Sequence, residues 1–395
     1  MSTIKEVFEA GKGILQLTPT WVPRGFNEPG HRLRLHPDDY YAFGMDRGGI
    51  CERWLGSINR ALNGPKTGET EGMSYVLVNK ETKEKVLFKD FIDELGADLI
   101  GDTLMEKYGT WPVFAKLYDY DKPLFHHLHL KEEMANRIGM HGKPESYYFP
   151  PQYNAPYLGR FPLTYFGFDP STTKEEVMDC LRNYDVKDNR ITELSRAYRI
   201  KLGTGWYTPA GVIHAPASVV TFEPQWNSDV NTIMENVTMG EVNPHNLLTD
   251  CAPEEEKDDL EAIFNQIDWE ESTRADYKET YFREPKIKSS TNEKWVAYAN
   301  DYVAAKEVTV LPGQTYTLTD QSAYGLVVTQ GHGFYGDFEC EAPGLLHFDD
   351  ISGDEFFISE KAAKAGIVVK NTSTYEPLVL LQNYANNNPE VPAEK

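Results

Sequence analysis

From Trp295 onward the chain reads as short apolar runs cut by Gly and Pro. Val308-Thr309-Val310-Leu311, Gly325-Leu326-Val327-Val328-Thr329, Gly331-His332-Gly333-Phe334-Tyr335 and Leu378-Val379-Leu380-Leu381-Gln382 predict strands joined by turns. Nearer the N-terminus, Arg32-Leu33-Arg34-Leu35-His36-Pro37 alternates as a strand does, and Ser74-Tyr75-Val76-Leu77-Val78 predicts another. Ile4 to Leu17 reads as a short helix or strand. Helical spacing takes over at Phe88 to Leu95 and again after Asp169, where Ser171, Thr172 and Thr173 offer caps and Val177 and Leu181 share a face. A second helical piece is predicted near Ile191 to Tyr198. Residues 235–292 form a polar, acidic connector in which Leu260, Ile263, Phe264 and Ile267 mark one face of an amphipathic helix and the acidic run a solvated face. The tail, 386–395, carries prolines and charges and is expected to be disordered.

Within this mainly β pattern one stretch concentrates chemistry. In Leu124-Phe125-His126-His127-Leu128-His129-Leu130, period-2 alternation puts His127 and His129 on one face and Leu124, Leu128 and Leu130 on the other. At about 3.3 Å per residue the two histidines stand about 6.6 Å apart along the strand, within reach of one metal ion. His126 faces away with the leucines and is expected to be packed. Glu145, in the aromatic run Glu145-Ser146-Tyr147-Tyr148-Phe149, offers a carboxylate. Pro209-Ala210-Gly211 turns the chain back onto a strand beginning at His214. An isolated H-x-H is more often packing than a ligand pair, but the added Glu and the P-x-G-x-x-H turn favour a metal site. Three imidazoles and a carboxylate suit one divalent ion, zinc, iron, manganese or nickel, and the donor set does not choose among them.

Composition narrows the partners. The formal net charge is −22, which argues against nucleic acid or an anionic membrane, since phosphate demands clustered Lys and Arg. The charge says little about a small substrate, and no oligomeric state can be read. Cys51, Cys180, Cys251 and Cys340 show no C-x-x-C spacing and read as free thiols. With no signal-peptide core or stretch approaching 18 uninterrupted apolar residues, a cytoplasmic location is expected.

The order H-x-H, then E, then P-x-G-x-x-H resembles the metal motifs of the cupin superfamily. Further residues narrow the resemblance to the type I mannose-6-phosphate isomerases. Arg47-Gly48-Gly49-Ile50-Cys51-Glu52-Arg53-Trp54-Leu55-Gly56-Ser57 is similar to that family's G-E-x-W-x-x-S opening, and Trp111 to Asp119 to its F-P-x-L-x-K segment. His129, Lys143, Glu145 and His214 fall on the family's metal-site positions, with His127 replacing a Gln and Tyr147 a Trp. Glu223 and Ser228-Asp229 follow the family's later motif, but its substrate-contacting arginine is replaced by Ile233. The resemblance implies a bicupin fold with helical insertions: a metal-binding cupin over 15–234 interrupted near 170–200, then a metal-free barrel over 293–385. Pro343-Gly344 and Gly353-Asp354 resemble turns of that second barrel, where His332 is structural.

On this resemblance His127, His129, Glu145 and His214 would hold the metal, and Lys143, Glu223 and Lys116 are the candidates for catalysis. The metal would polarise a carbonyl while a base moves a proton between C1 and C2 of an aldose or ketose. A metal cation beside Lys143 should lower its pKa. Loss of the arginine favours an unphosphorylated sugar, unless Arg160 or Arg283 supplies the guanidinium. A metal-dependent cupin dioxygenase and a non-catalytic carbohydrate-binding bicupin share the same ligand set. Tyr147, Tyr148, Tyr153, Tyr157 and Tyr165 are candidates for stacking on sugar, or for packing.

Overall fold

The computed structural model describes residues 3–155, 162–288 and 292–395; Tyr157 and Arg160 lie outside them. Strands dominate and assemble into two halves. In the first, one antiparallel sheet runs in the order Phe282–Arg283, Gly205–Thr208, Glu145–Tyr148, Thr221–Trp226, Val113–Tyr118, Gly49–Leu55, Thr20–Arg24. A second sheet carries Ser195–Arg199, Leu163–Phe168, His214–Ala215, His127–Leu128 and Thr232–Ile233. The predicted strand through 124–130 thus pairs only at His127–Leu128, yet the alternation holds. Leu128 and Leu130 enter a core with Val177, Leu181, Ile263 and Phe264, while the two histidines point the other way.

Residues of Val113–Tyr118 are all buried, because the strand has a partner on each face. Ala115 and Leu117 join the core shared with Val327 and Leu381 of the second half, and Lys116 turns inward. Such double burial is ordinarily met by continuous apolar sequence, so the inward lysine signals a polar interior.

The second half is built on a sheet ordered Lys286–Ile287, Glu293–Ala297, Val303–Val310, Leu378–Ala385, Tyr324–Gln330, Glu355–Ile358, Ile14–Thr18, Tyr75–Asn79, Glu84–Leu87. A smaller sheet adds Thr315–Leu318, Ile367–Asn371, His332–Tyr335 and Phe338–Glu341. Inside, the Lys306 ammonium is buried against Glu293 and lies 2.8 Å from Asp320 Oδ1. The boundary expected at residue 15 is crossed: Ile14–Thr18 pairs with Glu355–Ile358, Ile14 lying opposite Ile358. Pairing across so much sequence leaves no local mark.

Four further expectations are corrected. The alternation at 32–37 yields only an isolated bridge, Leu35 to Leu346, because Arg34 takes φ 62°, which no strand continues. Ile191 to Tyr198 is a single tight turn, Ile191–Leu194, followed by the strand Ser195–Arg199; a ladder with Leu163–Phe168 overrides the helical spacing. The amphipathic helix of the acidic connector shortens to Leu260–Phe264, because the Asp259 side chain accepts from Glu261 N and Ala262 N and starts the helix there. The tail does not lie free: Ala299 N donates to Pro392 O at 3.0 Å and Val391 packs on the second core. As expected, Lys174–Arg182 is a helix with a full capping box between Thr173 and Glu176. All four cysteines are free and buried. No helix among the described residues is long and apolar enough to cross a membrane.

Candidate metal centre

His127, His129 and His214 converge inside the first half. Their ring centroids are 5.0 Å (127 to 129), 4.2 Å (127 to 214) and 5.1 Å (129 to 214) apart, and one nitrogen from each lies within 4.8 Å of the others. Backbone carbonyls orient the rings: Nδ1 of His127 bonds Phe125 O at 2.9 Å, that of His129 bonds Val230 O at 2.7 Å, and that of His214 bonds Val212 O at 2.8 Å. A carbonyl only accepts, so each Nδ1 carries the hydrogen and each Nε2 is left with its lone pair. The turn before His214 is tied back by Gly211 N to His129 O at 2.7 Å. Gly211 takes φ +86°, and a Cβ there would meet Asp268 and Lys131 at 3.0 Å.

Glu145 faces the same point, with Oε2 3.1 Å from His129 Nε2 and Oε1 3.2 Å from His214 Nε2. Lone pairs therefore confront lone pairs, and the buried His214 Nε2 has no hydrogen-bond partner. Such a donor set fits a divalent cation. Tyr147 fixes the carboxylate by donating its hydroxyl to Oε1 at 2.6 Å. Burial and the adjacent His214 and His129 rings hold the His127 pKa well below its ordinary value. Burial together with Lys143 lowers that of His129 to about 4. His127 and His129 are thereby kept in the neutral form that ligates metal.

Lys143 bridges the cluster, bonding His129 Nε2 at 2.9 Å and Glu145 Oε2 at 2.5 Å and standing 3.2 Å from Glu223 Oε1. Burial disfavours its charge, but Glu145 and Glu223 outweigh burial and hold the ammonium above the ordinary lysine value. Without a metal, the two carboxylates facing the amine set its direction. The same balance depresses Glu145, where Lys143 and His129 overcome desolvation. Glu223 goes the other way: burial and the Glu145 charge push it up to about 8, against Lys143 and Lys116.

Charges continue across the interior. Lys116, opposite Glu223 in register, lies 3.8 Å from Glu223, 3.4 Å from Asp229 and 3.7 Å from Glu52. Arg24 closes the row with 2.9 Å contacts to both Glu52 and Asp229. Trp54 donates to Glu52 at 2.7 Å, and Tyr120 donates to it as well. Sequence reasoning missed Arg24; its one signal is a lone charge ending the apolar strand Thr20–Arg24.

Other expectations resolve by contact. Ile233 is buried directly opposite His127, and directly opposed residues share a face, so this residue presents an apolar wall beside the imidazoles. Arg283 is spent on backbone carbonyls of Tyr298, Thr280, Phe282 and Ala299 and does not reach the centre. His126 Nδ1 binds Glu235 at 2.8 Å. Among the described candidate tyrosines only Tyr147 serves the cluster. Tyr148 donates to Glu307 at 2.7 Å, Tyr153 lies under Arg34, and Tyr165 sits 5.2 Å from the His126 ring.

No protein-family model matches the chain, and no curated protein sequence matches it. Solved structures do. The chain is similar to a mannose 6-phosphate isomerase from Bacillus subtilis at 17% identity, with TM-score 0.62 over 94% of this chain and 99% of that one. A phosphomannose isomerase variant from Salmonella typhimurium gives 13% identity and TM-score 0.62 over 94% and 99%. A mannose 6-phosphate isomerase bound with zinc and yttrium gives 14% and 0.60 over 94% and 99%. The fold is that of the mannose-6-phosphate isomerases, a cupin fold across almost the whole chain.

Proposed function

We propose that this chain is a metal-dependent aldose–ketose isomerase acting on an unphosphorylated sugar, with one divalent ion, zinc first, held by His127, His129, Glu145 and His214. The observation that carries the reading is the Lys143–Glu223 pair set against a buried cluster of three imidazole nitrogens and a carboxylate. A metal bound there would polarise the sugar carbonyl and its neighbouring hydroxyl. Lys143, held charged by two carboxylates, donates to the oxygen that gains negative charge as the C–H bond breaks. Glu223, near 8, carries the proton from one carbon to the next: an acid whose pKa lies close to neutrality both accepts and returns it. Lys116 holds Glu223 from the far side. This acid–base pair is what an isomerase needs and an oxygenase does not.

The case for an unphosphorylated sugar rests on Ile233. A dianionic phosphate seeks a guanidinium; the wall beside His127 is apolar, and Arg24 is already saturated by Glu52 and Asp229. The test is NMR of free and phosphorylated aldoses and ketoses in D2O with the zinc-loaded protein. Deuterium should appear at C2 of an unphosphorylated sugar and be lost on chelation. Exchange restricted to phosphorylated sugars would overturn the substrate class; metal-dependent oxygen consumption without exchange would overturn the reaction.

A further inference from the structure

We infer that the chain carries a second divalent transition-metal site, formed by His36, Asp39 and His347 where the two halves meet. One ligand atom from each lies within 4.8 Å of the others. The His36 and His347 rings stack with centroids 4.1 Å apart, and His347 Nδ1 sits 2.8 Å from Asp39 Oδ2. Two imidazoles and a carboxylate make a ligand set for Zn2+, Co2+ or Ni2+ with positions left for water, and not for Ca2+ or Mg2+, which take oxygen ligands.

The backbone presets the geometry. His36 N donates to Leu346 O at 2.7 Å and Leu346 N to Arg34 O at 2.8 Å, locking the two segments side by side. Asp39 Oδ2 also accepts Phe348 N at 3.1 Å, and the Phe348 ring packs edge-on to Phe43 at 5.1 Å. His347 N is fixed in turn by Asp350 Oδ2 at 2.9 Å. Little ordering is left for a cation to impose, and the net charge of −22 raises its local concentration. A bound ion would cross-link residues more than three hundred positions apart in sequence, adding stability by mass action.

Zinc and cobalt titrations of the full chain, after chelation and dialysis, test this by calorimetry and mass spectrometry. Wild type should take up two equivalents and His347→Ala one, with isomerase turnover unchanged. His36→Gln should weaken the second equivalent by more than about tenfold, the loss that follows even when only an outer hydrogen-bond partner of a ligand is removed. His129→Ala should keep the second equivalent while losing the first, so failure at one centre is distinguishable from failure at the other. Saturation of wild type at one equivalent that His129→Ala abolishes and His347→Ala keeps, or two equivalents retained by both His347→Ala and His36→Gln, would overturn the inference.

Discussion

His129 shows how the surroundings of one residue set its chemistry. Its Nδ1 hydrogen is committed to Val230 O, and burial with Lys143 lowers its pKa from 6.5 to about 4. In the unfolded chain it titrates near 6.5, so between that pH and 4 the unfolded state binds the extra proton. The stability tied to its neutral form is therefore full above pH 6.5 and is lost as pH falls toward 4. In metal-free protein, NMR should find the His129 imidazole neutral down to about pH 4. The urea-stability gap between metal-free wild type and metal-free His129→Ala should shrink over the same window. Histidine substitution also tests ligation: His214→Ala should leave a folded protein without the metal of the central cluster, measured by mass spectrometry. Glu223→Gln should keep that metal and lose about 10²–10⁴ in exchange rate, the usual worth of a positioned general acid–base, read by NMR in D2O. Four of these side chains were legible in sequence because they sit in local patterns, an H-x-H alternation, an aromatic strand and a P-x-G turn. The raised value of Lys143 without metal was not, since Glu223, on a different strand, contributes to it after Glu145.

Elements place these residues from behind. The helix Lys174–Arg182 and the helix Leu260–Phe264 pack with Leu128, Leu130, Ile213 and Val230, so the insertions brace the histidine strands on the face opposite the metal. Replacing Thr173 by Ala removes the hydroxyl that accepts from Glu176 N while leaving the Thr173 N–H to Glu176 carboxylate bond, and should cost about 0.5–2 kcal/mol in denaturant unfolding, with metal content unchanged. Gly211→Ala probes the turn directly. A left-handed backbone and contacts at 3.0 Å predict a loss above about 1 kcal/mol together with weaker metal binding, although residue 211 ligates nothing. Helix Lys174–Arg182 could be read from its cap and its spacing. The strand Ser195–Arg199 could not, because its partner, rather than its own pattern, decides its conformation.

Across the whole molecule, the halves are joined by buried charge. Arg53 lies 2.7 and 2.8 Å from the Asp354 carboxylate and 3.1 Å from Glu355, all of them in the interior. Removing one member strands the others, so Arg53→Met should destabilise by about 3–5 kcal/mol, and unfolding of the wild type should follow a single transition in calorimetry. The second half was legible because the pattern becomes all-β from Trp295, whereas the pairing of Ile14–Thr18 with Glu355–Ile358 has no local signature. That pairing has a consequence for biosynthesis. Ile14–Thr18 leaves the ribosome well ahead of its partner Glu355–Ile358, which is made more than three hundred residues later. At about 5–20 residues per second, the early strand waits on the order of tens of seconds with an open edge. During that interval the nascent chain is a client for chaperones, and pausing of translation before Glu355 should lengthen its exposure to aggregation.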